Sequence, residues 1–203
     1  MASHTADNPN RRDFIVIAAQ AFAGVGAALA LWPFISQMNP DASTQAAASL
    51  EVDLSPVKEG QAITVLWRGK PVFVRNRTKE EITRAVEVKV ADLVDPSARN
   101  DALPEKTPAT DLNRTKKGKE NWLVLVGICT HLGCSPDFVP EIKPEPFDPD
   151  WKGGFFCPCH KSRYDIAGRV FQGVPAPANL PVPPYKFLSD KQILIGVNPE
   201  GAA

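Results

Sequence analysis

The order of hydrophobic and polar residues divides the chain into three parts. A polar start is followed by an apolar run, 14–35, in which no side chain is ionised. Since about 20 apolar residues suffice for a helix to cross the hydrocarbon core of a bilayer, this run predicts a transmembrane helix. The stretch 36–50 is rich in polar and small residues and predicts a flexible tether. From residue 51 onward, short apolar runs alternate with turn residues and predict strands.

The third part predicts a mainly β fold. Runs 63–67 and 71–75 flank Arg68-Gly69-Lys70, which is the pattern of a β-hairpin with glycine at its turn. The other predicted elements are a helix, or a helix followed by a strand, at 78–91, a polar loop at 96–121, an apolar strand at 122–128 and a closing hairpin at 188–197. The 20 prolines argue against a helical bundle, because proline interrupts helices and central strands.

The flanks of the apolar run predict its orientation. Arg11 and Arg12 precede it, and no basic residue follows until Lys58, so the positive-inside bias puts the N-terminus, 1–13, in the cytoplasm and the third part across the membrane. The arginine pair also has the form of a twin-arginine export signal. A cleaved signal peptide is the alternative, but its apolar region is normally shorter, and the bulky Trp32-Pro33-Phe34 does not suit a cleavage site. We therefore interpret the run as an uncleaved anchor.

The charge balance excludes one class of partner. Basic and acidic residues number 23 each, so the formal net charge is zero. No stripe of lysine and arginine with interleaved aromatic residues is present in the sequence. Because phosphate binding needs such a positive surface, we expect no nucleic-acid partner.

The candidate chemistry lies in two short windows. All four cysteines and two of the three histidines fall in Cys129-Thr-His-Leu-Gly-Cys134 and Cys157-Pro-Cys-His160. These six side chains are too many for one four-coordinate metal site. A structural zinc site would leave two thiols unexplained in an oxidising compartment, and two plain disulfides would leave the histidines unexplained. Four metal ligands and one disulfide would use all six side chains.

These windows, with Ser162 and Tyr164 after the second, resemble the cluster-binding loops of Rieske iron–sulfur proteins. The arginine pair, the anchor, the tether, 67–75 and the proline-rich 174–177 are similar to the Rieske subunits of bacterial ubiquinol-cytochrome c reductases. The resemblance implies a Rieske-type antiparallel β-sandwich at 51–203 with a small cluster-binding subdomain at about 127–185, preceded by one transmembrane helix.

The resemblance also implies one [2Fe-2S] cluster and a role for each site residue. Cys129 and Cys157 would bind one iron, His131 and His160 would bind the other, and Cys134 and Cys159 would form a disulfide. Leu132 would form an apolar wall, Gly133 would allow close backbone approach, and Ser162 and Tyr164 would donate hydrogen bonds to sulfur. The segment 174–177 would form a stiff third loop. Neutral imidazoles on one iron raise the reduction potential, so that such a cluster accepts electrons from a quinol. The second ring nitrogen of a ligand histidine, His131 or His160, would take the quinol's proton.

The implied function is electron transfer from ubiquinol to a c-type cytochrome, with a contribution to proton translocation. The expected partners are cytochrome b, which shares the quinol-oxidation site, and a c-type cytochrome, in a dimeric complex of the bacterial inner membrane with the Rieske domain in the periplasm. Two alternatives stay open: the Rieske small subunit of a periplasmic molybdenum oxidase such as arsenite oxidase, and a zinc-stabilised interaction module. Lys161, Val174 and the proline- and acid-rich insert 136–150 depart from the family pattern. We expect these departures to affect docking rather than the ligand set.

Overall fold

The computed structural model describes residues 11–39, 41 and 48–197, and the chain forms two compact units, 1–45 and 46–203. The middle of the predicted tether, 42–47, lies outside the described residues, so the tether stays a prediction. The first unit contains one long helix, and the second contains all the strands of the described chain.

The helix of the first unit, α1, spans Arg11–Ser36. The predicted helix at 14–35 is therefore present and slightly longer at both ends. Its 26 residues measure about 39 Å at the α-helical rise of about 1.5 Å per residue. None of them is buried, and the helix is long and apolar enough to cross a membrane. An apolar helix without a protein cover suits a lipid environment.

Three antiparallel sheets of three strands make up the second unit. The strands are β1 (Leu50–Asp53), β2 (Ala62–Trp67), β3 (Lys70–Asn76), β4 (Trp122–Val126), β5 (Asp137–Val139), β6 (Gly154–Cys157), β7 (Ser162–Tyr164), β8 (Tyr185–Ser189) and β9 (Gln192–Ile195). The sheet orders are β1-β9-β8, β2-β3-β4 and β5-β6-β7. This mostly β architecture confirms the predicted fold class.

One hydrophobic core joins the first two sheets. Val52 and Ile193 from the first sheet and Val72 and Leu125 from the second belong to the same buried cluster. Every residue of β4 is buried, which explains why this strand has no polar alternation. The third sheet adds Phe155 to the same core, so it is anchored to the other two sheets.

The predicted hairpin is confirmed as β2 and β3. Its turn residues Arg68 and Gly69 both have positive φ, 51° and 72°. That pair of angles defines the tight turn whose twist matches two antiparallel strands, and glycine adopts it without crowding by a Cβ. The closing hairpin is present as β8 and β9, although β8 begins earlier than predicted, at Tyr185.

The stretch 78–91 contains one helix, α2 (Lys79–Glu87), followed by the 3-10 helix Val90–Asp92. Thr78 caps α2: its side chain accepts a hydrogen bond from the Glu81 N–H at 3.2 Å, and the Glu81 carboxylate accepts one from the Thr78 N–H at 3.2 Å. This reciprocal arrangement is the capping box, which satisfies two backbone donors at the start of a helix.

The stretch 96–121 is irregular, as predicted, except for the 3-10 helix Asp111–Arg114, but two of its charged residues, Asp111 and Arg114, are buried. Arg114 is 0 % exposed and donates hydrogen bonds to the carbonyl oxygens of Ala98, Ala167 and Leu180. Burial lowers the pKa of Arg114 to about 10, so its guanidinium stays charged at neutral pH. Arg114 thus ties this stretch to the segment that follows β7.

Candidate metal centre

Three loops meet at one end of the β domain. Loop 1, 127–136, follows β4; loop 2, 158–161, joins β6 to β7; and loop 3, 172–178, lies between β7 and β8. We call these three loops, together with Cys157 at the end of β6, the tip. All the predicted ligands and the two predicted disulfide cysteines lie in it.

Two side-chain contacts hold the loops together. A disulfide between Cys134 and Cys159 joins loop 1 to loop 2. The Thr130 hydroxyl donates a hydrogen bond to the Ala178 carbonyl oxygen at 2.6 Å and so joins loop 1 to loop 3. The tip is therefore a single connected structure.

Both cysteine windows form tight turns. In loop 1, the Cys129 N–H donates to the Cys134 carbonyl at 2.7 Å, and the Gly133 N–H donates to the Cys129 carbonyl at 3.0 Å. Gly133 has a φ of 87°, which favours glycine, and an added Cβ would meet no protein atom within 4 Å. The turn conformation, and not a close contact with another protein atom, thus accounts for glycine at position 133. In loop 2, the Lys161 N–H donates to the Cys157 carbonyl at 3.0 Å.

The two thiols outside the disulfide are buried. Cys129 is 3 % exposed and Cys157 is 1 % exposed. The Cys157 sulfur lies within 4.8 Å of the sulfur atoms of Cys134 and Cys159. Because those two sulfurs are bonded to each other, neither offers a thiolate to a metal. Cys129 and Cys157 are the cysteines that remain available to bind a metal.

Hydrogen-bond donors surround both thiols. The backbone N–H of the residue two positions further along the chain lies close enough to each sulfur to lower the pKa of the thiol. Burial raises the pKa of Cys129, but hydrogen bonds from the Tyr164 hydroxyl and from this N–H outweigh burial, and the pKa lies below its ordinary value. Burial dominates at Cys157 and raises its pKa. Donors aimed at sulfur stabilise a thiolate, which is the form that binds metal.

His131 and His160 come from different loops and meet at the tip. Their ring centroids are 4.7 Å apart, and the rings are perpendicular. His160 is exposed and His131 is half-buried. Nδ1 of His131 is buried without a hydrogen-bond partner among the described residues. A buried ring nitrogen without a partner is costly, and coordination of a metal would satisfy it.

Ser162 supplies a second buried polar atom without a partner. Ser162 is 0 % exposed, and its Oγ makes no hydrogen bond within the described chain. It pairs with Cys157 across the β6–β7 ladder, and its hydroxyl lies close enough to Cys129 to lower the pKa of that thiol. A hydroxyl here would suit donation to a sulfur atom of a group that the two cysteines would hold. The donor set and the two orphaned atoms therefore fit a metal–sulfur group.

Tyr164 contacts a thiol directly. Its hydroxyl donates a hydrogen bond to the Cys129 sulfur at 3.3 Å and accepts one from the Thr130 N–H at 3.2 Å. Sequence reasoning named Tyr164 but missed Thr130, which contacts both Tyr164 and loop 3. The only signal in the sequence was a hydroxyl residue directly after the first cysteine.

The remaining predicted residues lie at the outer face of the tip or below it. Leu132 is 69 % exposed and forms an apolar surface beside His131. Val174 in loop 3 is half-buried and packs against the main core. Loop 3 is followed by Asn179, whose side-chain amide donates to the carbonyl oxygens of Asp95 at 2.9 Å and Ser97 at 2.8 Å. The loop is thus fixed at its base and exposed at its end.

A cavity of about 520 Å³ lies away from the three loops. Its lining includes Arg84, Asp92, Ile142 and Phe171, and no residue of the tip. The candidate centre lies instead at a surface where His160 and Leu132 are exposed, as suits contact with other proteins.

Known proteins resemble this chain over nearly its whole length. A family model described as "Ubiquitinol-cytochrome C reductase Fe-S subunit TAT signal" matches residues 1–41, and one described as "Rieske [2Fe-2S] domain" matches residues 51–185. The chain is 55 % identical to the "Ubiquinol-cytochrome c reductase iron-sulfur subunit" of Bradyrhizobium diazoefficiens, over 95 % of this chain and 97 % of that protein. It is 52 % identical to the protein of the same name from Rhodospirillum rubrum, over 96 % and 98 % of the two chains.

A solved structure described as "Hyperthermophilic respiratory Complex III" is also similar, with a TM-score of 0.45 and 27 % identity over 88 % of this chain and 98 % of that chain. The sequence relatives and family models favour neither of the two alternatives, the molybdenum-oxidase subunit and the zinc module.

Proposed function

This chain belongs to the family of Rieske iron–sulfur subunits of ubiquinol-cytochrome c reductase, and on that premise we propose that its tip holds the [2Fe-2S] cluster. The proposed ligands are the two buried thiols and the two histidines of the tip: Cys129, Cys157, His131 and His160. The Cys134–Cys159 disulfide holds their two loops together.

One observation supports this assignment most directly. Two polar atoms from different segments, Nδ1 of His131 and Oγ of Ser162, are buried at the tip without hydrogen-bond partners in the described chain. An iron–sulfur cluster between the thiols would give the nitrogen a metal and the hydroxyl a sulfur acceptor. Buried polar groups in native proteins nearly always have such partners.

The subunit carries electrons within an oxidoreductase complex. When bound, the cluster supplies a one-electron acceptor whose potential is raised by its two neutral imidazole ligands. His131 directs its buried Nδ1 inward, which leaves Nε2 as the ring nitrogen for an incoming ubiquinol. In this proposal a ligand histidine takes the quinol's proton at that atom, and the electron continues to a c-type cytochrome. Later release of the proton contributes to proton translocation.

The hydroxyl groups of Tyr164 and Ser162 would affect the electron-transfer step. The hydrogen bond from Tyr164 to the Cys129 sulfur stabilises additional negative charge on that sulfur. Ser162 would do the same for a cluster sulfur. Donors to sulfur favour the reduced state and so raise the reduction potential.

The first unit anchors the protein. Helix α1 begins at Arg11, directly at the arginine pair, and the family model over 1–41 is described as a TAT signal. We infer a single span of the bacterial inner membrane, with 1–13 in the cytoplasm and 51–203 in the periplasm. Twin-arginine export suits this domain, because a cluster inserted in the cytoplasm must cross the membrane in folded protein.

Membership of the ubiquinol-cytochrome c reductase complex suggests which subunits this protein contacts. We infer cytochrome b and a c-type cytochrome as the subunits that meet the tip, with ubiquinol bound at a site shared with cytochrome b, in a dimeric complex. The stretch 36–50 would let the domain move between cytochrome b and the c-type cytochrome. The exposed tip, with Leu132 at its surface, is suited to such contacts.

Electron paramagnetic resonance of reduced membranes tests the proposal. We expect a Rieske-type signal that changes when a quinol-site inhibitor is added, and loss of that signal in His160→Ala. The variant His4→Ala is the matched control, because His4 is the histidine outside both windows. An unaltered signal in His160→Ala would refute the ligand assignment, and zinc in place of iron would refute the function.

A further inference from the structure

The tip contains a single lysine and no arginine, aspartate or glutamate. Lys161 is the only lysine, arginine, aspartate or glutamate in loops 1, 2 and 3 and at position 157. Its side chain is exposed and follows His160 directly. It forms no ion pair with any residue that the structure describes.

Three carboxylates of the insert next to the tip form ion pairs with cations other than Lys161. Arg163, two residues further on, pairs with Asp148 of the insert at 2.5 Å. Lys143 pairs with Glu141 and, at 3.6 Å, with Glu145. These three carboxylates are thus matched by other cations. Asp137 and Asp150, the other carboxylates of the insert, form no ion pair within the described chain, and neither pairs with Lys161.

Apart from Lys161, the residues of the tip are apolar or uncharged. Leu132 is 69 % exposed, and Pro158, Pro175 and Pro177 are exposed as well. Depletion of charge is typical of the centre of a protein–protein interface. A partner that covers the tip would therefore cover Lys161 together with the apolar residues.

The backbone at Lys161 gives no reason for a lysine. Its φ is 62°, which glycine adopts freely and a residue with a Cβ adopts at a cost. What a lysine adds at this position over glycine is therefore its side chain. An ammonium that is covered and loses its water is strongly unfavourable unless an opposite charge meets it.

We propose that Lys161 forms an ion pair with an aspartate or glutamate side chain on the apolar docking surface of a partner subunit. This inference rests on the proposed function, in which the tip docks onto other subunits of the same complex. One charge pair in an apolar contact fixes the orientation of docking and disfavours surfaces that lack the carboxylate. Lys161 would thus determine which surface this tip accepts.

Zero-length crosslinking of the intact complex in membranes tests the contact. A carbodiimide joins a lysine amine to a carboxylate only when the two are in direct contact. We expect mass spectrometry to find Lys161 joined to an aspartate or glutamate of another subunit, and to lose this product in Lys161→Gln. A product that joins Lys161 to a haem propionate, or only to its own chain, would overturn the proposal.

Turnover as a function of ionic strength tests the effect on docking. Lys161→Gln keeps a Cβ and removes the charge, and we expect turnover at low salt to fall about 30-fold or more, because the partner's carboxylate is left covered without its counter-charge. Lys161→Gly should show the same loss, Lys161→Glu a larger one and Lys161→Arg little. The matched control is Lys152→Gln, an exposed lysine outside the tip, which should leave turnover unchanged.

The cluster signal separates this inference from the proposed function. If the wild type shows the Rieske signal and all Lys161 variants keep both the signal and wild-type turnover at every ionic strength, the docking inference is wrong and the function stands. If turnover falls in Lys161→Gln but not in Lys161→Gly, the backbone accounts for the effect and the ion pair is refuted.

Discussion

The Tyr164 hydroxyl donates a hydrogen bond to the Cys129 sulfur at 3.3 Å, between residues 35 positions apart in the chain. Tyr164 is 0 % exposed and Cys129 is 3 % exposed, so water does not compete for this contact. The same hydroxyl accepts the Thr130 N–H at 3.2 Å. The third sheet thereby holds the position of a proposed iron ligand in loop 1.

Replacement of Tyr164 by phenylalanine removes this donor. We expect Tyr164→Phe to keep the cluster and to lower its midpoint potential, because the reduced state loses a hydrogen bond to sulfur. A net contribution of about 1 kcal/mol corresponds to about 40 mV for one electron. Potentiometric titration of the paramagnetic signal measures the change.

Tyr185 provides the control for that experiment. It is equally buried, but its hydroxyl has no hydrogen-bond partner in the described chain, so Tyr185→Phe removes no donor from sulfur. Its midpoint potential should equal that of the wild type. Equal potentials in the two variants would show that the Tyr164 hydroxyl does not act on the cluster.

Thr130 is expected to stabilise the tip through loop 3. Thr130→Val keeps the shape of the side chain and removes the donor to the Ala178 carbonyl at 2.6 Å. The free energy of unfolding should fall by about 1 kcal/mol, and hydrogen exchange in 174–179 should become faster. The control is Thr83→Val on the exposed side of α2, whose hydroxyl donates to the Lys79 carbonyl at 3.0 Å. Equal effects of both substitutions would contradict a special role for Thr130.

Removal of the disulfide and removal of a proposed ligand should have different effects on the cluster signal and on stability. Cys134→Ser with Cys159→Ser opens a link between residues 25 positions apart, which is expected to cost about 3 kcal/mol of stability. We expect a weaker or altered cluster signal and a lower unfolding temperature. Cys129→Ser should instead abolish the native signal while the disulfide remains, as non-reducing mass analysis would show. Full loss of the signal in the double variant with no loss of stability is the result that our account does not allow.

Asp95 should contribute to acid stability. Burial raises its pKa, but hydrogen bonds from Arg99, Ser97 and Asn179 outweigh burial, and the pKa lies below the ordinary value of 3.8. The folded protein therefore binds this proton less tightly than the unfolded chain. Its contribution to stability is present above the ordinary pKa and is lost as the pH falls through the lower value of the folded state.

The variant Asp95→Asn tests this statement. Between about pH 5 and about pH 3, the free energy of unfolding should depend less on pH in the variant than in the wild type. Asp190→Asn is the control: that carboxylate pairs with Lys119 but is 88 % exposed, so solvent screens it and the slope should stay close to wild type. Identical slopes for Asp95→Asn and the wild type would contradict the prediction.

Local sequence patterns predicted much of the fold. The β2–β3 hairpin was predictable because Arg68-Gly69 encodes its own turn, and α2 because Thr78 and Glu81 form a capping box within four residues. The apolar strand β4 was predictable because each of its side chains is buried. In these elements the interactions that fix the structure join neighbours in the chain.

The site was predictable as a set of residues and not as an arrangement. The two cysteine windows indicate the six groups that meet, but the spacing alone does not distinguish a ligand from a disulfide cysteine. The division in the structure, with Cys134 bonded to Cys159 and two buried free thiols, depends on how loops 1 and 2 approach each other. The roles of Cys129 and Cys157 as ligands stay a proposal.

The sequence by itself determined the apolar helix, the hairpins, the capped helix and the crowding of cysteine and histidine at two windows. The tertiary structure alone decided that Arg114 is buried, that Thr130 reaches Ala178 and that Ser162 and His131 bury polar atoms that have no hydrogen-bond partner among the described residues. Arg114 shows the physical reason. Its charge is stabilised by the carbonyl oxygens of Ala167 and Leu180, which lie 53 and 66 positions away, and no short pattern encodes partners at that distance.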